Sequence, residues 1–281
     1  MTLPRQCIRE LYEEACRREI EALKPGNVHV FAGGHRMSPD QFLTSARVSS
    51  GPLTDPLLPV GGRIVEAVRE TRRHVATNTN LGIVLLSAPL ARAAEMDGKD
   101  LRANLGQVLD GLTLDDAGAA FEAIVLAAPG GLGSAAAHDV REPAKVGLQE
   151  AMREAAGRDR IAFQYVSSFS DVFETGMPAL KAAVGRGEGG MWPAIHAYMA
   201  FLATFPDSHV ARRHGPDAAA KIRDEAGSVR SRLVSAENAA TRLRLLAEFD
   251  RSLKSRAINP GTSADLTVAS LFALLLCDQL A

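Results

Sequence analysis

The stretch LTVASLFALLLC at positions 266–277 is apolar on almost every side when it is wound as an α-helix. A second stretch, LGIVLLSAPL at positions 81–90, has the same character. Both fall short of the roughly 20 residues that a helix needs to span a bilayer. We therefore expect two helices buried in the core of a globular protein, and no membrane partner.

The rest of the chain carries helical periodicity. Apolar residues from Ile8 to Leu23 recur at spacings of three and four, and Lys24-Pro25-Gly26 then ends the helix. Runs that alternate at period two, as strands do, are almost absent. The sequence predicts an all-α protein, a single multi-helix globular domain over 1–281 with roughly ten to twelve helices around buried central helices. Beyond the first, helices are expected over 38–50, 62–73, 81–95, 101–109, 114–127, 143–156, 159–184, 192–203, 217–225, 229–253 and 263–277.

Composition and charge exclude several classes of protein. The 32 basic and 33 acidic residues give a net charge of −1, so no global field would gather nucleic acid. The three cysteines, Cys7, Cys16 and Cys277, are scattered and lack CxxC spacing, which argues against a disulfide framework or a zinc site. The first residues lead into a charged helical pattern without the features of a signal peptide. We expect a cytoplasmic protein.

Two groups of polar residues immediately precede the apolar helices. They are Asn78-Thr79-Asn80 and the segment 259–263, in which Asn259, Thr262 and Ser263 are polar. A helix N-terminus presents free N–H groups and the positive end of the dipole, which suit a phosphate. The alternative is ordinary capping, since Thr262-x-x-Asp265 is a variant of the capping box.

Three further segments could bind an anion or a metal. Lys24-Pro25-Gly26-Asn27 offers a cation and a close-approaching backbone, or simply stops a helix. In 207–214, Arg212 and Arg213 supply donors to a polyphosphate, and Asp207 could hold Mg²⁺. The alternative there is a solvated helix capped by Asp207. Asp139 offers a second carboxylate for Mg²⁺, or lies in an ordinary turn.

Glu66 is a carboxylate between Ile64, Val65 and Val68 on an apolar helical segment. Such a residue lies near the edge of the apolar face or is buried with a partner. It is a candidate for catalysis, and a structural salt bridge is the alternative.

The glycine-rich segment 185–190 matches G-x-G-x-x-G but lacks the preceding strand of a dinucleotide fold, because 179–184 is predicted helical. The sequence therefore gives no support to a Rossmann domain.

Taken in order, these motifs resemble the triphosphoribosyl-dephospho-CoA synthase family. The resemblance rests on Lys24-Pro25-Gly26-Asn27-Val28, Phe42-x-x-Ser45, the segment 62–71, Asn78-Thr79-Asn80-Leu81-Gly82, Asp207-Ser208-His209, Arg213-x-Gly215 and 259–266. The family shows NTHKG where this chain has Asn80 and Leu81, and a glycine where this chain has Thr262. The pattern is similar to a divergent branch found near genes for one-carbon and methanopterin-type cofactors.

The resemblance implies an all-α transferase that moves a triphosphoribosyl group from ATP to the 2′-hydroxyl of dephospho-CoA and releases adenine. It implies Mg²⁺ as cofactor, ATP as substrate and dephospho-CoA or a related acceptor. Glu66 and Asp265 are then the carboxylates that stabilise the charged ribose, His209 is a candidate general base, and Asp207 and Asp139 bind the metal. The predicted nucleotide-binding residues are Lys24, Pro25, Gly26, Asn27, Asn78, Thr79, Asn80, Arg212, Arg213, Asn259, Thr262 and Ser263.

Two other functions stay open from the sequence. The substitutions at Asn80 and Leu81 are compatible with another ATP-dependent transferase or ligase in one-carbon or methanopterin-type cofactor biosynthesis. A non-catalytic nucleotide-binding protein is the third alternative. Helices that are apolar all round can also be shared between two copies of a chain, so a homodimer is compatible with the sequence.

Overall fold

The computed structural model describes residues 2–130 and 138–281, and these form fourteen α-helices and no β-strand. The prediction of an all-α fold is confirmed. The helices are α1 (Arg5–Glu21), α2 (Pro39–Leu53), α3 (Val60–His74), α4 (Leu81–Ala94), α5 (Leu101–Asp110), α6 (Leu114–Ala127), α7 (Leu148–Ala155), α8 (Arg160–Val166), α9 (Met177–Gly185), α10 (Trp192–Thr204), α11 (Ser208–His214), α12 (Pro216–Ser235), α13 (Ala239–Ser255) and α14 (Gly261–Leu280).

The two apolar stretches form the central helices, α4 and α14. Nearly every residue of α4 is buried, and α14 packs against α1, α4 and α10. The hydroxyl groups of Thr267 and Ser270 in α14 donate to the carbonyls of Ser263 and Leu266, which satisfies them inside the core. The predicted burial of both helices is therefore confirmed.

A proline inside α4 creates the link to α8. Pro89 has no N–H group, so the carbonyl of Leu85 lacks its usual helical donor. The hydroxyl of Tyr165 donates to that carbonyl at 2.6 Å, and Tyr165 is fully buried. The proline thus costs the core no unsatisfied polar group, and it fixes α8 beside the first half of α4.

Several predicted boundaries are wrong. The helix expected over 159–184 is interrupted after α8, where Ser168 and Phe169 have positive φ, and it resumes with a π-helical turn, Val172–Gly176, before α9. The break expected at 226–228 lies instead after Ser235, and α11 is the helix capped by Asp207 that the sequence offered only as the alternative for 207–214. These errors explain why fourteen helices replace the expected ten to twelve among the described residues.

One described helix, α14, is long and apolar enough to cross a membrane by length and composition alone. In its most apolar window, however, 67% of the residues are buried inside the protein. Its packing is that of a core helix.

A buried ion pair holds α3 against the end of α4. The guanidinium of Arg63 is fully buried and contacts both carboxylate oxygens of Glu95, at 2.9 and 2.7 Å. Its Nε donates to the carbonyl of Leu58 at 3.0 Å. Arg92 contacts the same carboxylate from the solvent side at 3.0 Å. The paired geometry of Arg63 compensates the loss of its hydration.

We expect Glu95→Ala to lower the free energy of unfolding by about 3–5 kcal/mol, because it leaves the Arg63 guanidinium buried without a counter-charge. Arg92→Ala removes the exposed partner of the same carboxylate and should cost no more than about 1 kcal/mol. Urea unfolding followed by circular dichroism measures both variants. Equal losses of the free energy of unfolding in the two variants would show that the buried Arg63–Glu95 pair contributes no more than the exposed contact of Arg92.

Candidate functional site

A cavity of about 630 Å³ opens where the N-termini of α4 and α14 meet. This volume lies within the range of roughly 300–1,000 Å³ that is usual for small-molecule sites. The other walls come from the end of α1, the loop after it, α8, α11 and residues on either side of 131–137. The predicted residues that line the cavity are Asn27, Asn78, Thr79, Asn80, Asp139, His209, Arg212, Arg213, Asn259, Thr262 and Asp265.

The other predicted site residues do not line the cavity. These are Lys24, Pro25, Gly26, Glu66, Asp207 and Ser263. Most of them lie directly behind its wall and hold the lining residues in place. Glu66 is the exception, because it lies on the outer side of α3.

Asp207 links the N-termini of α11 and α14 through hydrogen bonds. Its Oδ1 accepts hydrogen bonds from the backbone N–H groups of His209 and Val210, at 2.9 and 3.1 Å. Its Oδ2 accepts from the N–H and the hydroxyl of Ser263, both at 2.8 Å. Burial raises the pKa of this carboxyl, and the Ser263 hydrogen bonds oppose the shift. Because both oxygens are engaged and buried, the geometry assigns Asp207 to capping rather than to Mg²⁺.

Lys24 is fully buried, and its ammonium group has three acceptors. Nζ lies 2.7 Å from Glu19 Oε1, 2.7 Å from the carbonyl of Val28 and 3.2 Å from Asn27 Oδ1. An ammonium has three N–H donors, so this arrangement uses all of them. The expectation that Lys24 contacts the triphosphate is therefore not supported, because no donor remains to face the cavity.

The Pro25-Gly26 turn is held by α10 and α13. The hydroxyl of Tyr198 donates to the carbonyl of Pro25 at 2.6 Å, and the N–H of Gly26 donates to Asp250 Oδ1 at 2.8 Å. Gly26 has φ +83 and packs against Pro260, so a side chain here would be both strained and blocked. The turn places Asn27 in the cavity wall, where its Nδ2 donates to Asn259 Oδ1 at 2.8 Å.

The polar residues before α4 cap that helix and line the cavity. Asn78 Oδ1 accepts from the N–H of Leu81 at 3.1 Å, as the capping alternative expects. The hydroxyl of Thr79 lies 2.5 Å from that of Ser45. Asn80 is buried, and its Nδ2 donates to Thr71 Oγ1 at 3.1 Å. Within the described chain, the N–H groups of Gly82 and Ile83 have no protein acceptor, and both residues line the cavity.

Asp265, the fifth residue of α14, has no hydrogen bond or ion pair with any residue in the described ranges. It is partly exposed to the cavity and enclosed by protein elsewhere. Burial raises the pKa of this carboxyl well above its ordinary value, and the neighbouring carboxylate of Glu19 adds to the shift. The side chain packs so closely on Gly82 that a Cβ there would overlap with Oδ2. Burial and the neighbouring carboxylate therefore both favour the protonated form of Asp265.

His209 lies behind the start of α14 and beside two arginines. Its backbone N–H donates to Thr262 Oγ1 at 3.1 Å as well as to Asp207. Burial lowers the pKa of the imidazole to about 4, and the charges of Arg212 and Arg213 contribute to the shift. The imidazole is therefore neutral at pH 7.

The basic side chains occupy the outer part of the cavity. Arg212 forms an ion pair with Asp159, whose other oxygen caps α8 by accepting from the N–H of Ile161 at 2.8 Å. Arg213 is exposed and lies over Gly130. Arg72 and Arg158 line the same cavity, although the sequence did not single them out. The cavity thus offers four guanidinium groups to an anion.

Two predicted carboxylates have surface partners. Glu66 is 37% exposed and pairs with Arg69, which also contacts Glu122. This is the structural salt bridge that the sequence left as the alternative, and the geometry gives no support to catalysis by Glu66. Asp139 lines the cavity and lies 3.3 Å from Arg141 Nη1.

Glu19 is a further cavity residue that the sequence reasoning missed. It lines the cavity, although its exposed fraction is only 3%. The sequence pattern could have identified Glu19, because this residue falls on the apolar stripe of α1 with Ile8, Tyr12 and Ala15. A carboxylate on such a stripe is buried and needs a partner. Here the partner is Lys24.

Comparison with known proteins agrees with this geometry. The family model for ATP:dephospho-CoA triphosphoribosyl transferase matches residues 5–281. Similar solved structures include that of an Archaeoglobus fulgidus protein assigned as a triphosphoribosyl-dephospho-CoA synthase. It is 25% identical, with a TM-score of 0.66 over 83% of this chain and 97% of that chain. A search of curated protein sequences finds no significant match.

The match extends through every helix from α1 to α14 and includes all the cavity residues described above. The chain belongs to the ATP:dephospho-CoA triphosphoribosyl transferase family.

Proposed function

We propose that this transferase moves a triphosphoribosyl group from ATP to the 2′-hydroxyl of dephospho-CoA and releases adenine. The observation that carries the proposal is a cavity lined by guanidinium groups, by the N-termini of α4 and α14 and by the carboxyl group of Asp265. The guanidinium groups and helix N-termini suit a triphosphate, and the carboxyl group suits displacement at a ribose carbon. Free thiols on all three cysteines fit a cytoplasmic location.

The triphosphate is assigned to the outer part of the cavity. Arg72, Arg158 and Arg213 bring partly or fully exposed guanidinium groups there. The free N–H groups of Gly82 and Ile83 add the positive end of α4. These donors support triphosphate binding even though Leu81 replaces the lysine of the family motif.

Magnesium is proposed to arrive with the triphosphate. Within residues 2–130 and 138–281, no group of three or more His, Cys, Asp or Glu side chains is placed to hold an ion. Mg²⁺ bound to a nucleotide needs only one or two protein carboxylates, and Asp139 is the cavity carboxylate that fits this need. When bound, the ion would neutralise part of the phosphate charge.

Asp265 is proposed as the general acid. Loss of adenine leaves positive charge on the ribose and negative charge on the base, so a proton delivered to the base favours departure. A carboxyl group whose pKa is raised by burial is suited to supply it. His209, with a pKa of about 4, is a weak base. Its neutral imidazole is better suited to a hydrogen bond that orients a substrate.

The function is tested by incubating the purified protein with ATP, Mg²⁺ and dephospho-CoA and measuring free adenine. Adenine release that depends on dephospho-CoA supports the proposal. Formation of ADP, AMP or pyrophosphate would indicate a different ATP-dependent reaction. Bound ATP that stays unchanged would indicate a non-catalytic protein.

Asp265→Asn is expected to lower kcat for adenine release by about 10²- to 10⁴-fold, because the amide cannot donate the proton as the acid does. The KM for MgATP should change little. In the unsubstituted protein, kcat should fall as pH rises through the raised pKa of Asp265, since the acid form is the active one. Glu66→Gln is the matched control on the outer surface. Full turnover by Asp265→Asn would refute its role.

Gly82→Ala is expected to lower kcat by about 100-fold, because the added methyl group displaces the Asp265 carboxyl from its position. Gly106→Ala makes the same change in α5, where a Cβ meets no atom within 4 Å. Steady-state adenine release from both variants measures the effect. Equal activity would mean that the close contact between α4 and Asp265 does not matter.

Arg213→Met is expected to raise the KM for MgATP on the order of 10-fold, with a smaller effect on kcat, because a charge-assisted contact to phosphate is lost. Arg230→Met removes an exposed arginine from α12 outside the cavity and serves as the control. The difference between the two should shrink at high salt, since exposed charges are screened. Unchanged KM in Arg213→Met would place the triphosphate elsewhere.

A further inference from the structure

Two carboxyl groups from different helices face the innermost part of the cavity. Glu19 comes from the last turn of α1, and Asp265 is the fifth residue of α14. They are 246 positions apart in the chain, by subtraction of their numbers, so only the packing of α1 on α14 brings them together. Their charges interact, since Glu19 is one of the causes that raise the pKa of Asp265.

Their partners differ completely. Glu19 Oε1 lies 2.7 Å from Lys24 Nζ, whereas Asp265 has no hydrogen-bonding or ionic partner in the described chain. The three acceptors around Lys24 Nζ match the three N–H donors of an ammonium group. Burial lowers the pKa of Lys24, and the Glu19 carboxylate opposes that shift. Burial raises the pKa of Glu19, and the ammonium beside it opposes that shift. The contact with Lys24 therefore favours the ionised form of Glu19, and no such contact acts on Asp265 within the described residues.

The arrangement leaves one oxygen of Glu19 available. Oε1 contacts Lys24, while Oε2 has no donor among the described residues. Lys24 itself does not line the cavity, but Glu19 does. A bound substrate can thus meet the carboxylate oxygen without meeting its counter-charge.

We infer that Glu19 is a catalytic residue, the ionised member of a carboxyl pair whose protonated member is Asp265, with Lys24 as the residue that fixes this division. The inference rests on the proposed function. It assigns Glu19 as the general base for the attacking hydroxyl, a role that His209 fills poorly.

The step balances in protons and bonds. The 2′-hydroxyl oxygen of the acceptor forms a bond to C1′ of the ATP ribose, and its proton passes to Glu19 Oε2. The bond from C1′ to adenine breaks, and its electron pair takes the proton of Asp265. Adenine leaves neutral. The proton on Glu19 then returns to Asp265, directly or through water, and restores the starting state.

The surroundings support this distribution of charge. The other titratable groups near Glu19 are Cys16 on α1 and Tyr198 on α10, and burial raises the pKa of both, so they stay neutral. Asp265 also faces Asp207, Asp159 and Arg212. The two aspartates oppose ionisation of Asp265, and Arg212 is already paired with Asp159. The single ammonium in contact with the pair is that of Lys24.

The first test is Glu19→Gln, with Glu21→Gln as a control on the exposed face of the same helix, where Glu21 pairs with Arg17. Glu19→Gln should lower kcat for adenine release by about 10²- to 10⁴-fold and keep ATP binding, measured by calorimetry. In the unsubstituted protein kcat should also fall as pH drops through the pKa of Glu19. That acidic limb should vanish in the variant. Wild-type turnover by Glu19→Gln would overturn the inference.

A second variant controls for loss of activity through misfolding, because Glu19→Gln leaves the Lys24 ammonium buried without a counter-charge. The double variant Glu19→Gln/Lys24→Met removes both charges at similar volume. It should fold, as judged by its melting curve, bind ATP and lack turnover. Activity in this folded double variant would equally overturn the inference.

A third measurement tests the interaction of Glu19 with Asp265 independently of the proposed reaction. In a ¹³C NMR titration, Glu19→Gln should lower the pKa of Asp265, because it removes the adjacent negative charge, while Glu21→Gln should not. An unchanged pKa would refute the pairing even if adenine is released. A lowered pKa in a protein that releases no adenine would refute the proposed reaction and leave the pair intact.

Discussion

The structure of the site depends on one buried carboxylate, that of Asp207. One of its oxygens caps α11 and the other caps α14, through four hydrogen bonds of 2.8 to 3.1 Å. The first helix carries His209, Arg212 and Arg213, and the second carries Asp265. A buried acceptor with four donors is well compensated for its loss of hydration, so it fixes both helices in one geometry. The basic and acidic parts of the cavity are thus held together by a residue that does not itself line it.

The polar and charged side chains that line the cavity differ in their exposure to solvent. Glu19, Asn27, Asn80 and Thr262 are buried at its inner end, whereas Arg158 and Arg213 are exposed at the outer end. A desolvated carboxyl group changes its pKa strongly, and an exposed guanidinium keeps its charge and moves freely to a phosphate. This separation suits a reaction in which the phosphates remain unchanged while a bond at the ribose is exchanged. It also explains why Lys24, although cationic, stabilises Glu19 and does not serve as a phosphate ligand.

The divergent motif before α4 can be understood in the same terms. Asn80 is held by Ser49 and Thr71 behind the cavity wall, and Leu81 is buried at the first position of the helix. Neither side chain can replace the histidine and lysine of the family pattern. The site keeps the backbone N–H groups of Gly82 and Ile83 and the cavity arginines. Loss of one cationic side chain therefore changes the number of phosphate donors more than it changes the chemistry at Asp265.

The sequence by itself determined the fold class and much of the site. Periodicity and two apolar stretches were enough for an all-α core, and polar groups before apolar helices located the cavity wall from Asn78 to Asn80 and from Asn259 to Thr262. What the sequence could not decide was the partner of each charged residue. Glu66 and Glu19 both lie on apolar helical segments, yet one pairs with Arg69 at the surface and the other with Lys24 beside the cavity. Asp207 and Asp265 are both acidic residues near helix starts, but one is fully bonded and the other has no described partner. Local propensity acts through neighbours in the chain, whereas the burial of Glu19 and Asp265 depends on the packing of α1, α4 and α14, which are distant in the sequence. Only the tertiary structure could therefore place each carboxylate in a cap, at the surface or in the cavity wall.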